Sequence, residues 1–414
     1  MNKTPKLRFK EFSGDWEIKK LGELGEFKKT YSFSRSLEGE GNYKHIHYGD
    51  IHMNYKGIIS KDKLIPSIDI PSDDNYEFIQ DRDIIFADAS EDRKDLGKVA
   101  VVRNIEGNIL SGLHTLCFRP KEDLNSEFFL SHSLNKEYLK FMYTRGNGAK
   151  VLGISKSNLS EYKFLAPSKE EQEKIASFFS LIDDKISLQC EKVEALKDYK
   201  KGMMQKIFSR ELRFKDDDGR DYPEWEERKL GDIGNFLSGG SLSKNDLSKS
   251  GVKCILYGDL FTEYTEVIND IRNYTNKKEK LVYGEYNTLL FPTSTTVDAI
   301  SLICPSALMI KEKVILGGDM SVFKPMIDNV ICSFLSYQIN GYLKHEFSKK
   351  AQGSTIIHIY GSDLQTCRVL LPCIEEQLKI TQLLYSLDKK IEKEQEKLNY
   401  LNEYKKGLLQ QMFV

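Results

Sequence analysis

Tyr199-Lys-Lys-Gly-Met-Met-Gln-Lys-Ile-Phe208 is answered, at an offset of 205 residues, by Tyr404-Lys-Lys-Gly-Leu-Leu-Gln-Gln-Met-Phe413. Outward from that pair, the chain is one plan written twice. Pro167 and Glu170-Glu-Gln172 correspond to Pro372 and Glu375-Glu-Gln377, and Arg8-Phe-Lys10 corresponds to Arg213-Phe-Lys215, at the same offset. With a small change of register, Lys20-Leu-Gly22 and Gly25 match Lys229-Leu-Gly231 and Gly234, and Tyr48-Gly-Asp50 matches Tyr257-Gly-Asp259. Solenoid units run from about 20 to 50 residues, so what is duplicated here is a whole domain with its connecting segment. Two similar but diverged heads imply a target with two similar but different halves.

Each copy ends in a long helix. Apolar residues recur at Ile175, Phe179, Ile182, Ile186, Val193, Leu196, Met203 and Ile207, with Gln189 and Lys200 in the two gaps. The second copy reads Ile380, Leu384, Leu387, Ile391, Leu398, Leu401, Leu408 and Met412, with Glu394 and Lys405 in the gaps. An alternation of four and three, sustained over several heptads, is a coiled-coil seam. A helix of about 40 residues extends roughly 60 Å at 1.5 Å per residue. Ser168 and Glu171 have the form of a capping box at the first helix start, and Cys373 with Glu376 is a weaker version. Because one chain supplies both seams, they are expected to pair antiparallel within the chain, relating the halves by a pseudo-twofold axis. Pairing with a second copy, as a homodimer, is the alternative.

Ahead of each helix lies a mixed globule. Trp16 or Trp225 precedes the Lys-Leu-Gly pattern, and short β-like runs follow, such as Asp83-Ile-Ile-Phe86, Val99-Ala-Val-Val102 and Leu116-Cys-Phe118. Thr288-Leu-Leu-Phe291 and Ser321-Val-Phe323 are their counterparts, and Glu106-Gly-Asn108 and Gly317-Gly-Asp319 mark turns. Helices are expected around Ser126–Tyr143 and Asn329–Lys349. The expected architecture is α+β: two similar mixed α/β domains at 1–168 and 210–373, with spacer helices at 169–209 and 374–414.

Composition narrows the class. With 414 residues, 40% hydrophobic and 30% charged, the chain reads as a globular protein. No apolar stretch approaches the roughly 20 residues of a membrane span, and no apolar run follows Met1-Asn-Lys-Thr-Pro, so a cytoplasmic protein is expected. The seven cysteines (117, 190, 254, 304, 332, 367, 373) are odd in number and scattered, as reduced thiols would be. A net charge of −1, from 61 basic and 62 acidic residues, argues against indiscriminate nucleic-acid binding. Any DNA contact must be local or shared with partners. Adenine-methyltransferase, glycine-rich cofactor and phosphate-loop motifs are all missing. His45 and His47 share a strand face but lack a third ligand, so no metal site is expected.

The order of globule, helix, globule and helix resembles the specificity (S) subunit of type I restriction-modification systems. The shared motifs are the Arg-Phe-Lys, Trp and Lys-Leu-Gly opening, Glu-Glu-Gln at each helix start, and the Tyr-Lys-Lys-Gly ending, and together they span essentially the whole chain. The resemblance implies that each globule is a target recognition domain for one half of a split sequence in double-stranded DNA. It implies that the helices set the half-site separation and dock two modification (methyltransferase) subunits, which restriction (translocase/nuclease) subunits then join. It also implies a non-catalytic chain without a cofactor, S-adenosylmethionine, ATP and Mg belonging to the partner subunits, and no membrane. The repeat and the heptads alone indicate a two-headed molecule on a rigid spacer, which leaves open a pure assembly scaffold gripping two protein partners.

One segment per half has the charge pattern of a phosphate contact. Tyr138 to Ser160 and Phe347 to Ser362 contain no Asp or Glu. The first carries Arg145, Asn147, Lys150 and Lys156 around a glycine-rich turn, and the second carries Lys349, Lys350, Ser354 and Thr355. Glycines admit a close backbone approach, and cations with free N–H groups position it. Base reading needs side chains able to bond base edges in a groove. Candidates are His47, Asn54, Asp92, Arg93 and Lys94 in the first half, and Thr293, Ser294 and Thr295 in the second. At the helix ends Tyr199, Lys200, Gly202, Tyr404, Lys405 and Gly407 are candidate partner contacts, the glycines being costly inside a helix by about 1 kcal/mol relative to Ala.

Overall fold

Ile84 to Ala87 and Leu289 to Pro292 are apolar on both faces, and each strand is buried at every position. A strand of that kind needs a core on either side, and each finds one. The computed structural model describes residues 3–55, 57–72, 75–148 and 150–414. It divides into two compact units, one holding the residues up to Gln189 with Lys397–Val414, the other Cys190–Glu396.

In the first unit a five-stranded sheet runs Gly25–Phe27, Thr115–Pro120, Ile84–Ala87, Val99–Arg103, Ile58–Ser60. Only its last pair is parallel. Ile84 and Phe86 face one core, shared with Trp16, Phe128 and Phe129. Ile85 and Ala87 face another, with Ile46 and Val102. In the second unit the order is Gly234–Ser238, Met320–Pro325, Thr288–Pro292, Ser306–Leu308, Val267–Ile268, again with the last pair parallel. Leu289 and Phe291 face one core and Leu290 the other. The β-runs read from the sequence are therefore strands. The expected helix at 126–143 is instead two helices, Ser126–His132 and Lys136–Arg145. The Asn135 side chain accepts the Tyr138 N–H at 2.9 Å and starts the second. The counterpart passes through a π turn, Ile339–Leu343, whose Gly341 leaves room for the Met204 side chain.

The long helices are α1 (Lys169–Phe208) and α2 (Ile374–Met412). The boundary between units falls inside both, and within each unit they pair antiparallel. In the first, Asp183 meets Lys405, and Phe179 meets Phe413 with ring centroids 6.0 Å apart. In the second, Lys192 meets Glu394 at 3.1 Å and Lys200 meets Asp388 at 2.6 Å. The polar residues in the gaps of the seam thus include groups that find partners across it. The buried stripe also deviates from strict heptads, since Met204 and Phe208 are buried where Met203 is only partly so.

The capping-box reading needs correction. The Glu171 N–H reaches Ser168 Oγ only at 3.4 Å, while the Glu171 carboxylate accepts two bonds from Arg8 at 2.7 Å. Glu376 likewise binds Arg213, and also Trp225 Nε1 at 3.0 Å. Glu171 is 2% exposed, and losing its partner would strand a buried charge at a cost of about 3–5 kcal/mol. The neighbouring Gln172 accepts from Asn125 N and donates to Asp123 O and Pro167 O, and Gln377 repeats this with Ile331, Asn329 and Pro372.

The helix ends complete the cores. Phe413 packs on Trp16 and Phe128 in the first unit, and Phe208 packs on Trp225 and Phe334 in the second. Truncating a buried Phe costs about 3–5 kcal/mol. Phe413→Ala should therefore lower amide protection on the Leu116–Phe118 strand and leave Leu289–Phe291 protected, and Phe208→Ala should do the reverse. Hydrogen exchange followed by mass spectrometry reads both. Equal loss in the two units from either variant would contradict the separate assignment of the plugs.

Candidate nucleic-acid interface

At one edge of each head, three segments distant in sequence are stitched together by backbone bonds in the same order. In the first unit Ala89–Ser90 pairs with Leu152–Gly153. Ile154 N donates to Asp88 O at 2.8 Å, and Asp88 N donates to His114 O at 3.1 Å. In the second, Ser294–Thr295 pairs with Ile357–His358. Ile359 N donates to Thr293 O at 3.0 Å, and Thr293 N donates to Asp319 O at 2.9 Å. A hairpin projects beside each seam. Asn147 and Gly153 exchange bonds of 3.1 and 2.8 Å, and Gln352 and His358 exchange bonds of 2.8 and 2.7 Å. Gly148 has φ +136° and Gly353 φ +111°. A Cβ there would lie 2.0 Å from Val151 O or 2.1 Å from Ile356 O, so both hairpins require glycine.

This stitching brings the acid-free window of the first head against the 88–95 loop. Arg93 stacks over Tyr143 with its guanidinium carbon 4.9 Å from the ring centroid, and Arg145 lies 5.9 Å from that of Phe141. Tyr138 Oη donates to Gly97 O at 2.5 Å. Asp92, Arg93, Lys94, Arg145, Asn147 and Lys150 are all exposed, although Asp92 Oδ1 accepts the Lys94 N–H. Ala149 lies outside the described residues. Between hairpin and loop runs a groove of about 490 Å³ lined by Asp88, His114, Asn147, Val151 and Asn158. Burial raises the Asp88 carboxyl above its ordinary pKa, and His114 partly opposes this. The second head has a groove of about 440 Å³ beside the corresponding seam, lined by Thr293, Asp319, Ser321, Tyr360 and Gln365 and not by its hairpin. Lys350, Ser354 and Thr355 are exposed on its hairpin.

Other candidates are occupied within the fold. His47 is buried, its Nδ1 accepting the Gly49 N–H, and burial together with the Arg35 charge pushes its pKa down. Asn54 is exposed and donates to Asp50 Oδ1. Lys156 Nζ donates to Lys28 O at 2.9 Å. Thr293 is buried, Ser294 and Thr295 are half-buried, and Lys349 pairs with Glu346. Among the described residues no three metal-ligating side chains converge, and no helix is long and apolar enough to cross a membrane.

The helix-end candidates divide in two. Tyr199 and Tyr404 are exposed, and Gly202 and Gly407 face open space, with no neighbouring atom within 4 Å of where a Cβ would stand. Those glycines therefore face outward and do not serve contact between the helices. Lys200 bonds Glu266 and Asp388 inside its own unit, and Lys405 pairs with Asp183.

The family model for the type I restriction modification DNA specificity domain matches residues 13–198 and again 222–403. The chain belongs to this family. It is a specificity subunit of a type I restriction-modification system with two recognition domains. Among curated relatives, the putative type I restriction enzyme MjaX specificity subunit of Methanocaldococcus jannaschii is 26% identical over 98% of this chain and 94% of its own. The MjaVIII specificity subunit of the same organism is 25% identical over 97% and 94%. The crystal structure of the S subunit from M. genitalium superposes with a TM-score of 0.58 at 17% identity, covering 99% of each chain. A chain from a study of complex assembly and conformational transition in a type I system gives 0.55 at 16%, covering 95% and 96%. The family match and the curated relatives favour DNA recognition over a pure protein scaffold.

The specificity subunit's hairpins should be sensitive to one added methyl group. Gly353→Ala must displace the Ile356 carbonyl and adopt a strained φ, worth about 1–3 kcal/mol. Exchange of the Gln352 and His358 amides should quicken while the sheet strands stay protected. Unchanged exchange at both amides would refute the glycine requirement.

Proposed function

We propose that each recognition domain reads one half of a bipartite target in double-stranded DNA, through the hairpin, the neighbouring loop and the groove beside the seam that joins them. The observation that carries this reading is the stitching of the three segments, kept bond for bond in both heads, while the side chains mounted on it differ. Asp88 and His114 stand where the second head has Thr293 and Asp319. Backbone frames hold position and side chains select bases. The chain acts without catalysis of its own. S-adenosylmethionine, ATP and Mg belong to two modification (methyltransferase) subunits and to the restriction (translocase/nuclease) subunits, in the cytoplasm. α1 and α2 set the half-site separation, and the open faces at Gly202 and Gly407, beside exposed Tyr199 and Tyr404, receive the modification subunits.

The test exchanges one head. Replacing residues 28–165 with the equivalent segment of a relative should alter one half of the methylated sequence and leave the other intact. A change in both halves together would end the proposal of independent heads.

Phosphate and base contacts separate by salt. Arg145→Ala with Lys150→Ala should weaken binding almost evenly across DNA sequences, and reduce the slope of log affinity against log salt by about 0.9 per lost contact. A variant that keeps its slope and loses only one target sequence would make this hairpin a base reader.

A further inference from the structure

Left-handed backbone conformation in a residue other than glycine is uncommon, yet it occurs at two corresponding pairs of positions in the two heads. Arg82 (φ +69°) corresponds to Asn287 (φ +61°), and His114 (φ +56°) to Asp319 (φ +56°). The first pair is explained by the frame. Asn287 donates to Val330 O and accepts from Cys332 N, and Arg82 reaches Leu124 O. The second pair is tied to the frame through its backbone. His114 and Asp319 are exposed and line the grooves, each held in place through its backbone oxygen, by Asp88 N and Thr293 N respectively. The shared backbone conformation therefore fixes where a side chain stands while leaving its chemistry free to differ between heads.

That chemistry is a hydrogen-bond acceptor in both. His114 Nδ1 lies 3.2 Å from Asp88 Oδ1. In the neutral tautomer whose Nδ1–H donates to that carboxylate, Nε2 is the acceptor. The Tyr48 ring meets the imidazole edge-on at 5.4 Å and limits its rotation. Asp319 presents a carboxylate. In the major groove an acceptor selects the exocyclic amine of cytosine or adenine against the oxygen of guanine or thymine. We infer that His114 and Asp319 are specificity-determining residues, one for each half-site, each accepting a hydrogen bond from such an amine. This rests on the bipartite reading proposed above.

The experiment uses the full chain assembled with its modification subunits and a DNA library randomised across both half-sites. Glycine is at ease with positive φ, so His114→Gly and Asp319→Gly should keep or raise the thermal midpoint. His114→Gly should lose discrimination by roughly tenfold at one base of one half-site, and Asp319→Gly at one base of the other. His114→Asn, which tolerates the same backbone and can bond adenine through two atoms, should shift that position toward adenine. Glycine variants that preserve discrimination at both half-sites would overturn the inference, as would an even loss of affinity over all sequences. If the wild-type complex itself selects no two-part sequence, the bipartite reading falls and takes this inference with it.

Discussion

A buried arginine–carboxylate pair sits where each head meets its helix, and the rest of the architecture hangs from it. Arg8 and Glu171, or Arg213 and Glu376, are brought together over 163 residues of chain. Everything between them is a head whose first and last segments must arrive at one place. The adjacent strands, Glu17–Lys20 on Lys163–Ala166 and Glu226–Lys229 on Arg368–Leu371, close the same loop through backbone bonds. Gln172 and Gln377 then tie the helix start to the cap of the helix that follows the sheet. A charge pair with little exposure tolerates no loose geometry, so the joint fixes how each helix leaves its head.

With that joint settled, the far edge is free to vary. The central strands must satisfy two cores at once, and their side chains are apolar in both heads. The stitched segments contribute mainly backbone groups, so they can be kept while Asp88 becomes Thr293 and Ser155 becomes Tyr360. This separates the requirement to fold from the requirement to discriminate. A near-neutral chain can then engage DNA through small cationic surfaces, without the general basicity that would hold it on any sequence.

Much of this is legible in the residues because it repeats. The two long helices, the doubled α+β heads and the strands around Ile85 and Leu290 follow from periodicity and apolar runs. What escapes a reading of the sequence depends on contacts between distant segments. Glu171 sits three residues after Ser168, as a capping partner would, and only its distant meeting with Arg8 reveals another duty. Lys200 and Lys405 stand in gaps of a seam as if available, but the facing helix supplies Asp388 and Asp183. His47 carries groove-reading chemistry on a residue that the fold buries. His114 draws no notice because a backbone angle leaves no mark on composition, and Asp319 reads only as part of a turn. Phe208 and Phe413 are visible as a repeated letter, yet their role needs the cores they enter.

Those two phenylalanines give the heads unequal histories during synthesis. Phe208 is already made when the strands of the second head emerge, so that head can close its core as soon as its own segments are present. The first head has its sheet early, but the ring that seats against Trp16 and Phe128 belongs to Phe413. Until α2 has been translated, the first core lacks Leu408, Leu409, Met412 and Phe413. Order of translation and order of completion are therefore reversed, and the head made first is the last to receive its full core.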